Sequence, residues 1–306
     1  MNSLILLSTL AAADFLVEMK TSGTQSLMIL KDGAPLESFQ PGTPVSVQSV
    51  TKPFVSLAAG RLWTEGKLKS LDLKVGELLP ELAKDPKGAV TLRHLLSHSS
   101  GIRDARDNKG RTLNAFMDTK DVSEYIAKLP VDGPPGQEYK YNNVGVALLS
   151  LALERIAGEP LHLYLRRTLL RPMGIQSDQW RTDKNNRSPF FFGLSINAED
   201  LAKIGQLIIN DGQWQDQQLL SPEWIKLSTQ EPGNTTNPRL GLIWFFQASA
   251  TPGQKPALIQ HTGDGGNYLL IFPKYNLVAV RLRPNSSKPD PLKDFPNLVV
   301  DRFIRQ

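Results

Sequence analysis

The sequence predicts an α+β fold: an antiparallel sheet built from both chain ends and flanked by helices, with a mostly helical region inserted between. Three observations predict it. Strand-like runs with turn signals lie before residue 40 and again after residue 240. Apolar spacings of three and four fill the stretch between them. No internal repeat or flexible linker interrupts the 306 residues. One unit is therefore expected over residues 1–306, with the sheet region at about 1–48 and 240–306 and the helical region at about 49–239.

The first run, residues 4–16, is apolar, with small residues at Ala11, Ala12 and Ala13. Two readings stay open. One is an export signal, although no Lys or Arg precedes the run. The other is an amphipathic helix capped at Ser3 and reaching about Lys20, with Ile5, Ala12, Leu16 and Met19 on one face. The first reading places the protein in the periplasm or outside the cell, the second in the cytoplasm. The run is shorter than the roughly 20 apolar residues of a membrane span, and no later stretch qualifies.

Residues 25–31 read as a strand, Asp32-Gly33 gives a hairpin turn, and residues 36–39 suit the returning strand. Helical spacing runs from Thr51 to about Ser70 through Phe54, Val55, Leu57, Ala58, Leu62 and Trp63. Residues 91–98 form a short helix stopped by Ser99-Ser100-Gly101. Residues 104–120 are polar and mixed in charge, as in a loop; 122–128 suit a short helix, and the Pro and Gly content of 130–137 marks another loop. Residues 143–157 and 161–170 are apolar helices. The next helix, 198–210, is capped at Asn197, with Glu199 and Asp200 placed to favour its dipole. Ser221-Pro222-Glu223 opens one more, with Pro at the first helical position. Residues 240–247, 257–260, 267–272 and 277–282 read as strands, and 298–304 as a closing helix.

Composition narrows the chemistry. Hydrophobic residues at 40% and charged residues at 21% are ordinary for a soluble globular protein. The absence of cysteine excludes a thiol nucleophile, disulfides and Cys-ligated metal. The four histidines are His94, His98, His162 and His261. His94 and His98 stand four apart, but a zincin needs Glu after the first His, where Leu95 stands. Both are read as packing residues, His162 as a surface or boundary group, and neither metal nor cofactor is expected. The net charge of +5 is spread along the chain, which gives no nucleic-acid footprint. No obligate protein partner is evident. Arg103, Arg106, Lys109 and Arg111 interleave with Asp104 and Asp107 as in a solvated loop, one that could also edge a cleft.

Three segments carry chemistry. Ser49-Val50-Thr51-Lys52 is the one Ser-x-x-Lys, and at a helix start that spacing puts both side chains on one face. A buried, partly deprotonated lysine can take the serine proton. Tyr141-Asn142-Asn143 precedes an apolar helix; Tyr141 suits a general base if cations stabilise its phenolate, and Asn143 can bond Lys52 and a substrate amide. The competing reading is a helix cap with a packed tyrosine. His261-Thr262-Gly263-Asp264 follows a strand, and Gly263 would let a substrate lie along its edge. Backbone N–H groups at Ser49 and Asp264 could form an oxyanion hole. No Gly-x-Ser-x-Gly is present, which excludes a nucleophile elbow.

In this order and spacing the segments resemble the serine β-lactamase and penicillin-binding protein superfamily, on the branch of class C β-lactamases, D-Ala-D-Ala carboxypeptidases and related esterases. Residues 66–82, 91–102 (TLRHLLSHSSGI), 193–214 and 261–272 extend the resemblance over nearly the whole chain. It implies the β-lactamase/transpeptidase-like fold. It also implies that Ser49 is the acylated nucleophile, Lys52 helps deprotonate it, and Tyr141 is general base and proton shuttle. Asn143 would position Lys52 and substrate, while His261, Thr262 and Gly263 would form the wall strand. His261 stands where most β-lactamases have Lys, which weakens any grip on a carboxylate near neutral pH. Asp264 would repel a carboxylate if it faces the cleft. The expectation is a serine hydrolase acting through an acyl-enzyme on a small ester or amide. D-Ala-D-Ala carboxypeptidase or weak β-lactamase activity is the alternative within the class, and a catalytically silent binding or scaffold protein the alternative outside it.

Overall fold

The computed structural model describes residues 15–107, 112, 114–284 and 289–305. The expected cap at Ser3 and the start of the first run lie outside them, as do Lys109 and Arg111. Residues 15–21 form helix α1. Strand β1 (Ser26–Lys31) turns at Asp32-Gly33 into β2 (Ala34–Phe39), and the short β3 (Val45–Ser46) follows.

The central sheet is wholly antiparallel. Its last strands are β8 (Phe245–Gln247), β9 (Leu258–Gly263), β10 (Asn267–Phe272) and β11 (Leu277–Leu282), and its order is β2-β1-β11-β10-β9-β8. N-terminal and C-terminal strands therefore join at β1 and β11, with Ser26 opposite Leu282. Period-two alternation assigns the faces. Leu27 and Ile29 of β1, with Leu277 and Ala279 of β11, pack beneath α1 and the closing helix Phe295–Phe303, where Phe15 meets Phe303 edge-on at 5.2 Å. Met28, Val278 and Val280 face the opposite, larger core.

The middle of the chain supplies that core. Helix α2 (Pro53–Thr64) takes Pro53 at its first turn and is apolar nearly all round, so it runs through the interior. It stops at Thr64, short of the expected Ser70, because Gly66 adopts a left-handed conformation (φ 69°). Short helices α3 (Val75–Leu78), α4 (Leu92–Leu96), α5 (Asn114–Met117) and α6 (Val122–Ala127) follow. α5 lies in the stretch expected to be all loop. Helix α7 (Asn143–Ala157) is buried from Asn143 through Leu153 and ends at left-handed Gly158. The helix expected over 161–170 is α-helical over α8 (Leu161–Leu165), then widens into a π turn at Arg166–Leu170. His162 is buried there, not at the surface.

Strands of two or three residues punctuate this region, unlike the strand-free middle the sequence suggested. β3 pairs with β5 (Leu194–Ile196), which pairs with β4 (Gln179–Trp180), while β6 (Gln213–Trp214) and β7 (Gln217–Gln218) form a hairpin. Helix α9 (Ala198–Ile209), capped by Asn197, lies directly on the central sheet. The approach is close enough that a Cβ on Gly205 would sit 2.5 Å from Val278. Helix α10 (Pro222–Thr229) packs on α2 through Trp224 against Gly60, and α11 (Phe295–Phe303) closes the chain. β8 is shorter than expected and begins opposite Gln260, leaving residues 261–263 of β9 without a ladder partner on that side among the described residues. Among the described residues no helix is long and apolar enough to cross a membrane.

Candidate active site

Ser49 lies on a single 3₁₀ turn, Gln48–Thr51, that links β3 to α2, so it stands just ahead of the α-helix and not inside its first turn. The turn is pinned at both ends. Val47 N–H donates to Leu194 O at 3.0 Å, and Leu194 N–H donates to Thr51 Oγ1 at 3.3 Å. Lys52 closes the turn and precedes Pro53. The Ser-x-x-Lys spacing therefore works through this turn: Lys52 Nζ is 3.0 Å from Ser49 Oγ.

Lys52 is fully buried. Its Nζ donates to Phe191 O at 2.8 Å and lies 4.8 Å from the Tyr141 ring centroid. Burial drives the Lys52 pKa well below the usual lysine value, and the Arg106 charge pushes the same way while Asp104 opposes. A neutral amine is the form this setting favours.

Tyr141 and Ser49 line the same cavity and their side chains interact. Burial pushes the Tyr141 pKa up to about 12, against the lowering influence of Ser49 and of Arg106. The condition for a phenolate is not met here, because the cations near Tyr141 do not outweigh its desolvation. Arg106 stands over the ring at 5.5 Å and His98 packs on it at 4.8 Å.

Asn143 opens α7. The cap, however, is Asn142, whose Oδ1 accepts from Gly145 N–H at 2.6 Å. Asn143 Nδ2 donates to Thr112 Oγ1 at 2.8 Å, and Asn143 Oδ1 is buried without a partner among the described residues. No hydrogen bond joins Asn143 to Lys52 among the described residues; the carbonyl of Phe191 occupies that role. Asp104 Oδ1 accepts from the Asn143 and Val144 N–H groups at 2.9 and 3.1 Å, placing an acid at the helix start.

His261 and Gly263 share one face of β9, turned toward the Ser49 turn. Thr262 alternates to the other side and is exposed. His261 is buried, and that burial lowers its pKa to about 3. It is thus a neutral wall residue and cannot act as a cationic grip. Gly263 has a packing role besides the one expected. A Cβ there would sit 2.3 Å from Val47 O and 3.2 Å from Ser49 N, so glycine lets the strand close on the Ser49 turn itself.

Ser49, Tyr141, Asn143 and Asp264 line one cavity of about 510 Å³ with Gln48, Arg106, Thr112, Met117, Phe191 and Phe192. Lys52 lies beneath it. Asp264 is exposed there, its Oδ1 accepting from Gly265 N–H at 3.0 Å. Sequence reasoning missed the aromatic wall. Phe191 and Phe192 sit in an irregular stretch with no periodicity, and their signal is only the adjacency of three phenylalanines, 190–192. Arg106 moves from a solvated loop to the cavity rim. His94 serves locally, its Nδ1 accepting from Thr91 N–H at 3.2 Å, and no metal-holding cluster occurs among the described residues.

Comparison with known proteins agrees with this architecture. The profile of the Beta-lactamase family matches residues 20–297. An Escherichia coli (strain K12) protein, provisionally named D-alanyl-D-alanine carboxypeptidase, is 25% identical over 84% of this chain and 73% of its own. Esterase EstB of Burkholderia gladioli is 30% identical over 50% of this chain and 41% of its own. In three dimensions the octameric penicillin-binding protein homologue of Pyrococcus abyssi superposes with a TM-score of 0.74 at 23% identity, covering 95% of this chain and 76% of that one. That likeness concerns the fold.

Proposed function

The chain belongs to the Beta-lactamase family, and on that premise we propose that it is a serine hydrolase acting through an acyl-enzyme on a small ester or amide. One observation carries the reading: a fully buried lysine with a depressed pKa stands 3.0 Å from a serine hydroxyl at the floor of an open cavity.

Ser49 Oγ attacks the substrate carbonyl while its proton passes to the neutral Lys52 amine. The backbone N–H groups of Ser49 and Asp264 take the oxyanion. As the tetrahedral intermediate collapses, Tyr141, kept a neutral phenol by burial, gives its proton to the leaving alcohol or amine and is refilled from Lys52. Water then attacks the acyl-enzyme, its proton follows the same route in reverse, and Ser49 is regenerated. Asn143 Oδ1, buried and unpartnered, accepts from an N–H of the substrate.

Arg106 on the cavity rim favours a second reading, a peptide with a free carboxylate, as a D-Ala-D-Ala carboxypeptidase would cleave. Asp264 in the same cavity weighs against it. Turnover of p-nitrophenyl butyrate, nitrocefin and a D-Ala-D-Ala peptide separates the readings. Ester turnover above the other two is expected, and peptide turnover far above ester turnover would reverse the order.

A further inference from the structure

One buried histidine outside the proton path is tied to Tyr141 in three ways. His98 sits just past α4, is 1% exposed, and holds a left-handed backbone conformation (φ 53°) uncommon for a residue with a side chain. Its main-chain carbonyl accepts from Lys140 N–H at 2.7 Å. Its ring Nδ1 accepts from Asn142 N–H at 3.2 Å. These are the residues on either side of Tyr141. The ring itself lies against the Tyr141 ring, 4.8 Å between centroids and 35° apart. Further bonds tie the same two segments, from Gly136 N–H to Ser99 O at 2.7 Å and from Asn142 Nδ2 to Ile102 O at 2.5 Å.

We propose that His98 is the positioning residue of Tyr141: it holds the peptide units on both sides of the tyrosine and sets the angle of the phenol over Ser49. This rests on the reading of Tyr141 as the proton shuttle. The clamp needs a ring nitrogen that accepts, so the imidazole must stay neutral. Burial achieves that first, lowering the His98 pKa to about 3, and the Arg106 charge acts against protonation as well. The strained backbone agrees with a residue fixed by its task.

The test is a double-mutant cycle on p-nitrophenyl butyrate hydrolysis, with His98→Leu, Tyr141→Phe and the pair, and with His98→Asn as the conservative variant. Asparagine carries an acceptor near the place of Nδ1. His98→Gln carries its amide near Nε2 instead and replaces the leucine variant if that one does not fold. H98L is expected to lower kcat about 100-fold, as for a misplacement near 1 Å, with KM little changed. H98N is expected to stay within about tenfold of wild type, and H98L to cost less than about twofold once Tyr141 is Phe. A loss from H98L that is equally large in the Y141F background, or H98N as poor as H98L, overturns the proposal. Wild-type activity in Y141F alone would remove Tyr141 from the mechanism and His98 with it.

Discussion

Gly263→Ala is the most exacting perturbation of this site, because it adds one methyl group at one measured place. The new Cβ would lie 2.3 Å from Val47 O, where real Cβ atoms essentially never come closer than 3.0 Å. The gap between β9 and the Ser49 turn must therefore open by at least about 0.7 Å, and Asn267 Cβ at 3.2 Å blocks retreat on the other side. Overpacking of this kind costs about 1–3 kcal/mol. For a chain of this size that corresponds to a fall of roughly 2–6 °C in Tm. The catalytic loss is larger in proportion. Ser49 N is 3.2 Å from the added methyl, so the displaced segment carries the proposed nucleophile and a proposed oxyanion N–H. A shift near 1 Å costs about 100-fold in rate, equivalent to about 2.7 kcal/mol. The assay is kcat/KM on p-nitrophenyl butyrate beside a thermal melt, with Gly42→Ala as control, since nothing lies within 4 Å of a Cβ there. G263A with wild-type kcat/KM and Tm would refute the claim that strand and turn are in contact through this glycine.

Two further outcomes follow from the electrostatics. Lys52→Met should lower kcat/KM by about 10²–10⁴, the usual worth of a general base. In wild type, activity should fall as pH drops through the depressed Lys52 pKa, which protonates the base, and hold toward the alkaline side until Tyr141 titrates at about 12. Behind the turn after β9, Asp290→Ala should cost about 3–5 kcal/mol by denaturant unfolding, because it strands Arg281, which is fully buried and bonded to Asp290 at 2.9 Å through two nitrogens. Burial raises the Asp290 pKa, and the Arg281 hydrogen bonds more than reverse this. Its contribution is therefore present above the ordinary carboxyl value of 3.8 and lost as pH falls through the lower folded value.

The elements with strong local signals were legible in the sequence. The short apolar runs of β1, β10 and β11 and the apolar stripe of α7 need no distant partner to be recognised. The three site segments were legible through residue type, spacing and order. What was not legible depends on tertiary contact. Strands β4 and β5 are too short to carry a period, and they exist because β3 and the Ser49 turn need a neighbour at Leu194. Asn142 and Asn143 are alike in sequence, and only the backbone angles at the start of α7 decide that Asn142 caps while Asn143 faces the cavity. Lys52 turned to the Phe191 carbonyl, a main-chain group without a sequence signal. The base role of Tyr141 was conditional on cations stabilising its phenolate, and burial, which is not written locally, outweighs them.

The central claim is that Ser49 is a nucleophile activated by Lys52. Intact-mass spectrometry after treatment with a fluorophosphonate tests it most directly, on wild type and on Ser49→Ala in parallel. The wild-type chain is predicted to gain the mass of a single adduct and S49A to gain none. An adduct that persists in S49A, or a folded wild-type chain that takes no label, would contradict it.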